Sequence, residues 1–131
     1  MAFRINHIHL KAPDPGKTVE WWIKAFKFKV VSDETRPVGD RFIRCLSEDG
    51  GMAVNISGAR TGETPGSGDA SVHFGLEHFG IDSVNVDADV ARLQGLGAKL
   101  HEGPVTTHSG ARIAFMSGPD DVRFELIQPK A

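Results

Sequence analysis

The chain has 131 residues, of which 40% are hydrophobic and 24% charged, and its formal net charge is −2. That length and balance suit a single soluble globular domain that buries enough surface to fold without a disulfide or a metal, and the near-neutral charge provides no footprint for nucleic acid. No apolar run reaches membrane-spanning length, and the opening MAFRINHIHLK has no apolar signal core, so neither a membrane role nor secretion is expected and the cytoplasm is the expected location.

Residues 3–12 alternate, with Phe3, Ile5, His7, His9 and Lys11 on one side and Arg4, Asn6, Ile8, Leu10 and Ala12 on the other, which predicts a strand with one unusually polar face. Pro13 and Pro15 close it, and Asp14 is placed to cap a helix whose first residue is Pro15. That helix, about 15–26, carries Val19, Trp22, Ile23 and Phe26 at i, i+3, i+4 and i+7 as its expected core stripe. Trp21 cannot share that face and is a candidate for a subunit interface. Strands follow near 28–32, 40–46 and 52–57, the last after the turn SEDGG. The single cysteine, Cys45, sits in FIRCL and reads as a small buried hydrophobe rather than a reactive thiol. Residues 58–71, GARTGETPGSGDAS, read as a linker; GETPGSG lacks the Lys-Ser/Thr ending of a phosphate cradle. A strand restarts at about 73–83. A helix over about 87–96 turns Val90, Leu93 and Leu96 inward and ends at Gly97. Strands near 99–102, 111–117 and 123–128 complete the chain, with GPDD as the last turn.

The two halves are copies. Displaced by 71 positions (78 − 7 = 71), His7 falls on His78, and Ile8, Val19 and Trp22 fall on Phe79, Val90 and Leu93. Further on, Arg41 and Ile43 meet Arg112 and Ala114. Each half therefore reads βαβββ: module one over 1–57, a linker over 58–71 and module two over 72–131, within one domain of α+β class.

The stretches HIHLKAPD, HFGIDSVN with a helix ending LGAK, and GPDDVRFELIQP resemble the vicinal oxygen chelate superfamily: glyoxalase I, methylmalonyl-CoA epimerase, extradiol dioxygenases, and the fosfomycin- and bleomycin-resistance proteins. The resemblance covers essentially the whole chain; its motifs are more specific for the fold than for the reaction. It implies two tandem modules forming an open, cupped mixed β-sheet around a divalent metal, commonly in a homodimer. Carried over position by position, the ligands fall on His7, His78 and Glu125. The chemistry of the residues agrees, since two imidazoles and a carboxylate form a facial set with open positions that suits Fe, Mn, Ni, Co or Zn. The chain departs from glyoxalase I in the last strand of module one, MAVNIS. There the ungapped repeat sets Val54 opposite Glu125, whereas matching the flanking apolar residues sets Asn55 there. Neither is a carboxylate.

His9, beside His7 on the same face, is the candidate for proton transfer. Asn55, with His108 and Arg112 of THSGAR, are candidates for holding substrate. Glu125 alternatively pairs with Arg112 or Arg123. Glu77, next to His78, is expected on the opposite side, and His73 at the strand's surface entry. The expected activity is that of a metal-dependent, glyoxalase-like lyase or isomerase, acting on a small substrate that offers two neighbouring oxygens. An Fe(II) extradiol-type dioxygenase is the first alternative, weakened by the absence of any tyrosine. A non-catalytic, bleomycin-resistance-like binding protein is the second.

Overall fold

The computed structural model describes residues 2–131, which form two compact units dividing between Gly66 and Ser67. The first contains β1 (His7–Lys11), α1 (Pro15–Phe26), β2 (Lys29–Thr35), β3 (Arg41–Leu46) and β4 (Ala53–Ser57). Its four-stranded sheet has the order β1-β4-β3-β2, with β1 parallel to β4 and the other pairs antiparallel. The second contains β5 (Phe79–Asp82), α2 (Val86–Gly95), β6 (Lys99–Thr106), β7 (Arg112–Ser117) and β8 (Arg123–Gln128), in the order β5-β8-β7-β6 with the same parallel first pair. The two βαβββ modules are thus realised as two mixed sheets, neither of them closed. Among the described residues no helix is long and apolar enough to cross a membrane.

Local chemistry explains the helix ends. The Asp14 carboxylate accepts the Lys17 N–H at 3.2 Å, Pro15 opens the helix, and Lys27 ends it at φ 57°, its N–H donating to Ile23 O at 2.8 Å. Asn85 caps α2 through Ala88 N–H, and Gly97, at φ 95°, follows its last turn. The buried face of α1 is Pro15, Thr18, Val19, Trp22 and Ala25. Ile23, expected in the core stripe, is 38% exposed. The reason is Trp22, which is fully buried and stacks on Phe26 and Phe28 with ring centroids 5.6 Å away in each case. Centring the largest side chain on the sheet turns its neighbour Ile23 about 100° aside. Trp21 is half-buried, edge-on to Trp22 at 5.0 Å.

The strands at the start of each module are shorter than the alternation suggests. Hydrogen-bonded pairing begins at His7 against Ala53 and at Phe79 against Phe124. Residues 3–6 and 73–78 have no ladder partner, so their alternating pattern does not by itself make them strand. β6 runs beyond the expected end at 102, because register shifts on either side of Glu102 carry it past Gly103 and Pro104. In each sheet the apolar set faces the module's helix. Ile43, Cys45, Val54 and Ile56 line one, and Ala114, Met116, Phe124 and Leu126 the other, all at most 2% exposed. The period-two alternation then delivers the polar residues of β1, β4 and β8 to the opposite face, where the chemistry lies.

Candidate functional site

Glu125 stands in the middle of β8, paired across to Gly80 on β5 and Phe115 on β7. Its neighbours Phe124 and Leu126 are buried on the helix side, so the carboxylate points to the other face. His78, two residues before Gly80, projects the same way, and its Nε2 lies 3.5 Å from Glu125 Oε1. The other ring nitrogen is held: Nδ1 stands 2.9 Å from Glu77 Oε1. An ionised carboxylate only accepts, so Nδ1 carries the proton and, in the neutral ring, the lone pair is on Nε2.

Glu77 is itself paired in charge with Arg123, whose Nε lies 3.0 Å from the same Oε1 without a hydrogen bond to it. The His78 N–H and the Arg123 guanidinium together keep the Glu77 carboxyl below the usual range. Arg123 lies over the Phe115 ring at 4.7 Å and donates Nη1–H to Ala70 O at 2.9 Å, while Phe115 meets the His78 ring edge-on at 5.0 Å. Glu77 was expected on the side opposite His78. It is not there, because residue 77 precedes the paired strand and strand alternation does not govern it. The two arginines considered for Glu125 are committed elsewhere: Arg123 to Glu77, and Arg112 to Asp87 through bonds of 3.0 and 2.8 Å. What the fold brings beside Glu125 is His78 Nε2, at 3.5 Å; with the ring proton on Nδ1 the two facing atoms are both acceptors.

In the first module, His7, His9 and Lys11 share one face of β1 with Asn55 and Ser57 of β4, their neighbours in the ladder. His7 Nδ1 is 2.9 Å from Asn6 Oδ1. His9 lies 6.3 Å from His7 between ring centroids, its Nε2 2.7 Å from Ser57 Oγ and its ring edge-on to Phe42 at 5.4 Å. Burial, and then the neighbouring Lys11, His7 and Arg36, push the His9 pKa below its ordinary value. Arg36 covers Phe42 at 4.3 Å and makes a two-pronged pair with buried Asp40, while Lys11 reaches Gly58 O and Glu63.

The ladder settles which residue of module one corresponds to Glu125. His9 pairs with Asn55 and Gly80 with Glu125, and His9 and Gly80 are related by the repeat (80 − 9 = 71). Asn55, not Val54, is the counterpart. It is 3% exposed, and its Oδ1 has no hydrogen-bond partner among the described residues. Ser57 escaped the sequence reading; the signal for it was the alternation Asn55, Ser57 in the otherwise apolar MAVNIS.

His108 lies exposed in the turn between β6 and β7, and Arg112, paired with Asp87, reaches Thr106 Oγ1 as well. No group of three or more His, Cys, Asp or Glu side chains converges to hold a metal among the described residues. His78 and Glu125 do fit such a role as a pair: an Nε2 and a carboxylate oxygen side by side, the imidazole backed on Nδ1 by a second carboxylate, is the donor pattern of metal-ligating histidines.

A sequence model of the Glyoxalase/Bleomycin resistance protein/Dioxygenase superfamily matches residues 4–126. The chain belongs to this superfamily. No curated protein sequence matches it. Among solved structures, this superfamily member is similar to a glyoxalase family protein from Bacillus cereus (TM-score 0.86, 13% identity, covering 100% of this chain and 97% of that one). It is similar too to a glyoxylase/bleomycin resistance protein/dioxygenase domain from Frankia sp. (TM-score 0.78, 16% identity, 99% and 94% covered). A third is the fosfomycin resistance protein FosX from Listeria monocytogenes in complex with Mn(II) and sulfate (TM-score 0.71, 19% identity, 99% and 95% covered). At these identities the likeness is one of fold.

Proposed function

We propose that this member of the superfamily is a divalent-metal-dependent lyase or isomerase acting on a small substrate that presents two neighbouring oxygens. The observation that carries the reading is the His78–Glu125 pair, 3.5 Å apart, with His78 Nδ1 already engaged by Glu77. These two side chains are proposed to hold the cation, with His7 of a first module as the third ligand. A cation so held supplies Lewis-acid polarisation of a substrate oxygen and stabilises the negative charge that develops on it.

His9 is proposed as the base. Ser57 is fully buried and fixes the ring through Nε2, so with Nε2–H donating to Ser57 Oγ the lone pair on Nδ1 takes the substrate proton. Asn55, with an acceptor left unpaired, is proposed to receive a donor group of the substrate. The strand β2, exposed along its whole length with Val30 and Val31 outward, supports a homodimer that covers this edge.

Metal analysis of the purified chain beside a His78→Ala variant tests the reading. Stoichiometric Mn, Fe, Co, Ni or Zn in the wild type and its loss in the variant is the expected result; a wild type that binds none of these when they are supplied overturns it. Turnover of methylglyoxal–thiol adducts, against oxygen consumption with catechols, then separates the lyase or isomerase from the dioxygenase. Sedimentation of the full chain reads the oligomeric state.

A further inference from the structure

The repeat reaches one residue further than the histidines. Asn6 and Glu77 are also related by 71 positions (77 − 6 = 71), and each sets a side-chain oxygen 2.9 Å from the Nδ1 of the histidine that follows it. Asn6 and Glu77 both lie just before the paired strand begins, where strand alternation does not yet send neighbouring side chains to opposite faces. We infer that Asn6 and Glu77 are positioning residues, one per module, which fix the Nδ1–H form of His7 and His78 and so keep each Nε2 open as a donor. The inference rests on the metal-binding reading above and adds to it the residues that make the two imidazoles competent.

The two modules are not equal in this. Glu77 is charged and braced: Arg123, itself only 8% exposed, pairs with it in charge while covering Phe115, and Phe115 abuts the His78 ring. These four side chains form a closed circuit that restricts the imidazole in both tilt and tautomer. Asn6 is a neutral, exposed amide. A carboxylate on Nδ1–H raises the basicity of the opposite nitrogen more than an amide does. The second module is therefore the stronger half of the donor set, and the larger effect belongs to Glu77.

The competing explanation is that Glu77 serves only as the counter-ion of Arg123. Glu77→Gln separates the two, since it keeps an oxygen for Nδ1–H but removes the charge that Arg123 meets. The test uses the full chain with Mn(II) as the probe, titrated calorimetrically into wild type, Glu77→Ala, Glu77→Gln and Asn6→Ala. Imidazole 15N spectra of the metal-free proteins are recorded alongside, at a pH alkaline enough to keep the rings neutral. Glu77→Ala is expected to weaken Mn(II) binding about ten- to a hundredfold and to move His78 from the Nδ1–H to the Nε2–H form. Glu77→Gln is expected to keep the Nδ1–H form and recover part of the affinity, the remaining loss reading the contribution of the charge, and Asn6→Ala to show a smaller loss than Glu77→Ala. Unchanged affinity and tautomer in Glu77→Ala overturns the inference. Should that variant not fold, loss of the Nδ1–H form in Glu77→Gln overturns it equally. A wild type that binds no Mn(II), but whose His78 tautomer still switches on removal of Glu77, sinks the metal reading and leaves the positioning role standing.

Discussion

Glu125 is the residue at which stability and function should pull in opposite directions. Its carboxylate is 16% exposed, lies between Phe124 and Leu126, and faces a histidine rather than a guanidinium. A polar group left short of partners in such surroundings costs about 1–3 kcal/mol. Its partial exposure puts Glu125 at the lower end of that range. Replacing it by the neutral isostere in Glu125→Gln is therefore expected to stabilise the metal-free chain by about 1 kcal/mol, or about 3–5 °C in Tm for a chain of this size. With Mn(II) at a hundred times its dissociation constant, the wild type gains about 2.7 kcal/mol and the variant, stripped of a ligand, gains little. The order of melting temperatures should invert, the variant melting higher in chelator and the wild type higher in Mn(II). Module one shows the same exchange made naturally, with the amide of Asn55 where module two has Glu125. Calorimetric melts of both proteins under both conditions decide the matter. A variant that melts below wild type in chelator, or a pair that rises equally with Mn(II), refutes the reasoning.

Trp22→Ala empties a fully buried site stacked against Phe26 and Phe28 and is expected to cost about 3–5 kcal/mol, read by denaturant unfolding. His73 donates Nδ1–H to Ser71 O and Nε2–H to Leu76 O, which requires both protons, and these two bonds raise its pKa. Because the folded value lies above the ordinary one, the order of the segment 71–76 should be full below the ordinary imidazole range and fall as pH rises through the folded pKa. Backbone hydrogen exchange of that segment against pH reads it, and pH-independent exchange protection would contradict it. Burial pushes the Cys45 thiol up to about 11, so native protein should resist thiol-labelling reagents near neutral pH and react only after denaturation, as followed by mass spectrometry.

Much of the architecture was legible in the residues. The repeat of 71 positions, Asp14 and Pro15 at the head of α1, Gly97 after α2 and the apolar face of each sheet all report local preferences or one-dimensional periodicity, and these survive folding. The ligand candidates His7, His78 and Glu125 came from the family resemblance and the repeat together, and of the three the structure sets His78 and Glu125 side by side. What escaped depended on partners distant in sequence. The pairing of His9 with Ser57 spans 48 positions. Arg112 and Arg123 choose Asp87 and Glu77 over Glu125, a competition among carboxylates that spacing does not encode. Ile23 left the core because a neighbouring indole claimed the centre of the sheet.

By itself the sequence determined the duplicated βαβββ plan and the kinds of side chain available to it, since helix caps, turn residues and hydrophobic period act over a few residues at a time. Only the tertiary structure decided that Asn55 answers to Glu125, that Glu77 stands behind His78, and that Glu125 meets an imidazole. Ladder register and ion-pair choice follow from which backbones lie side by side, and that is a property of the folded chain alone.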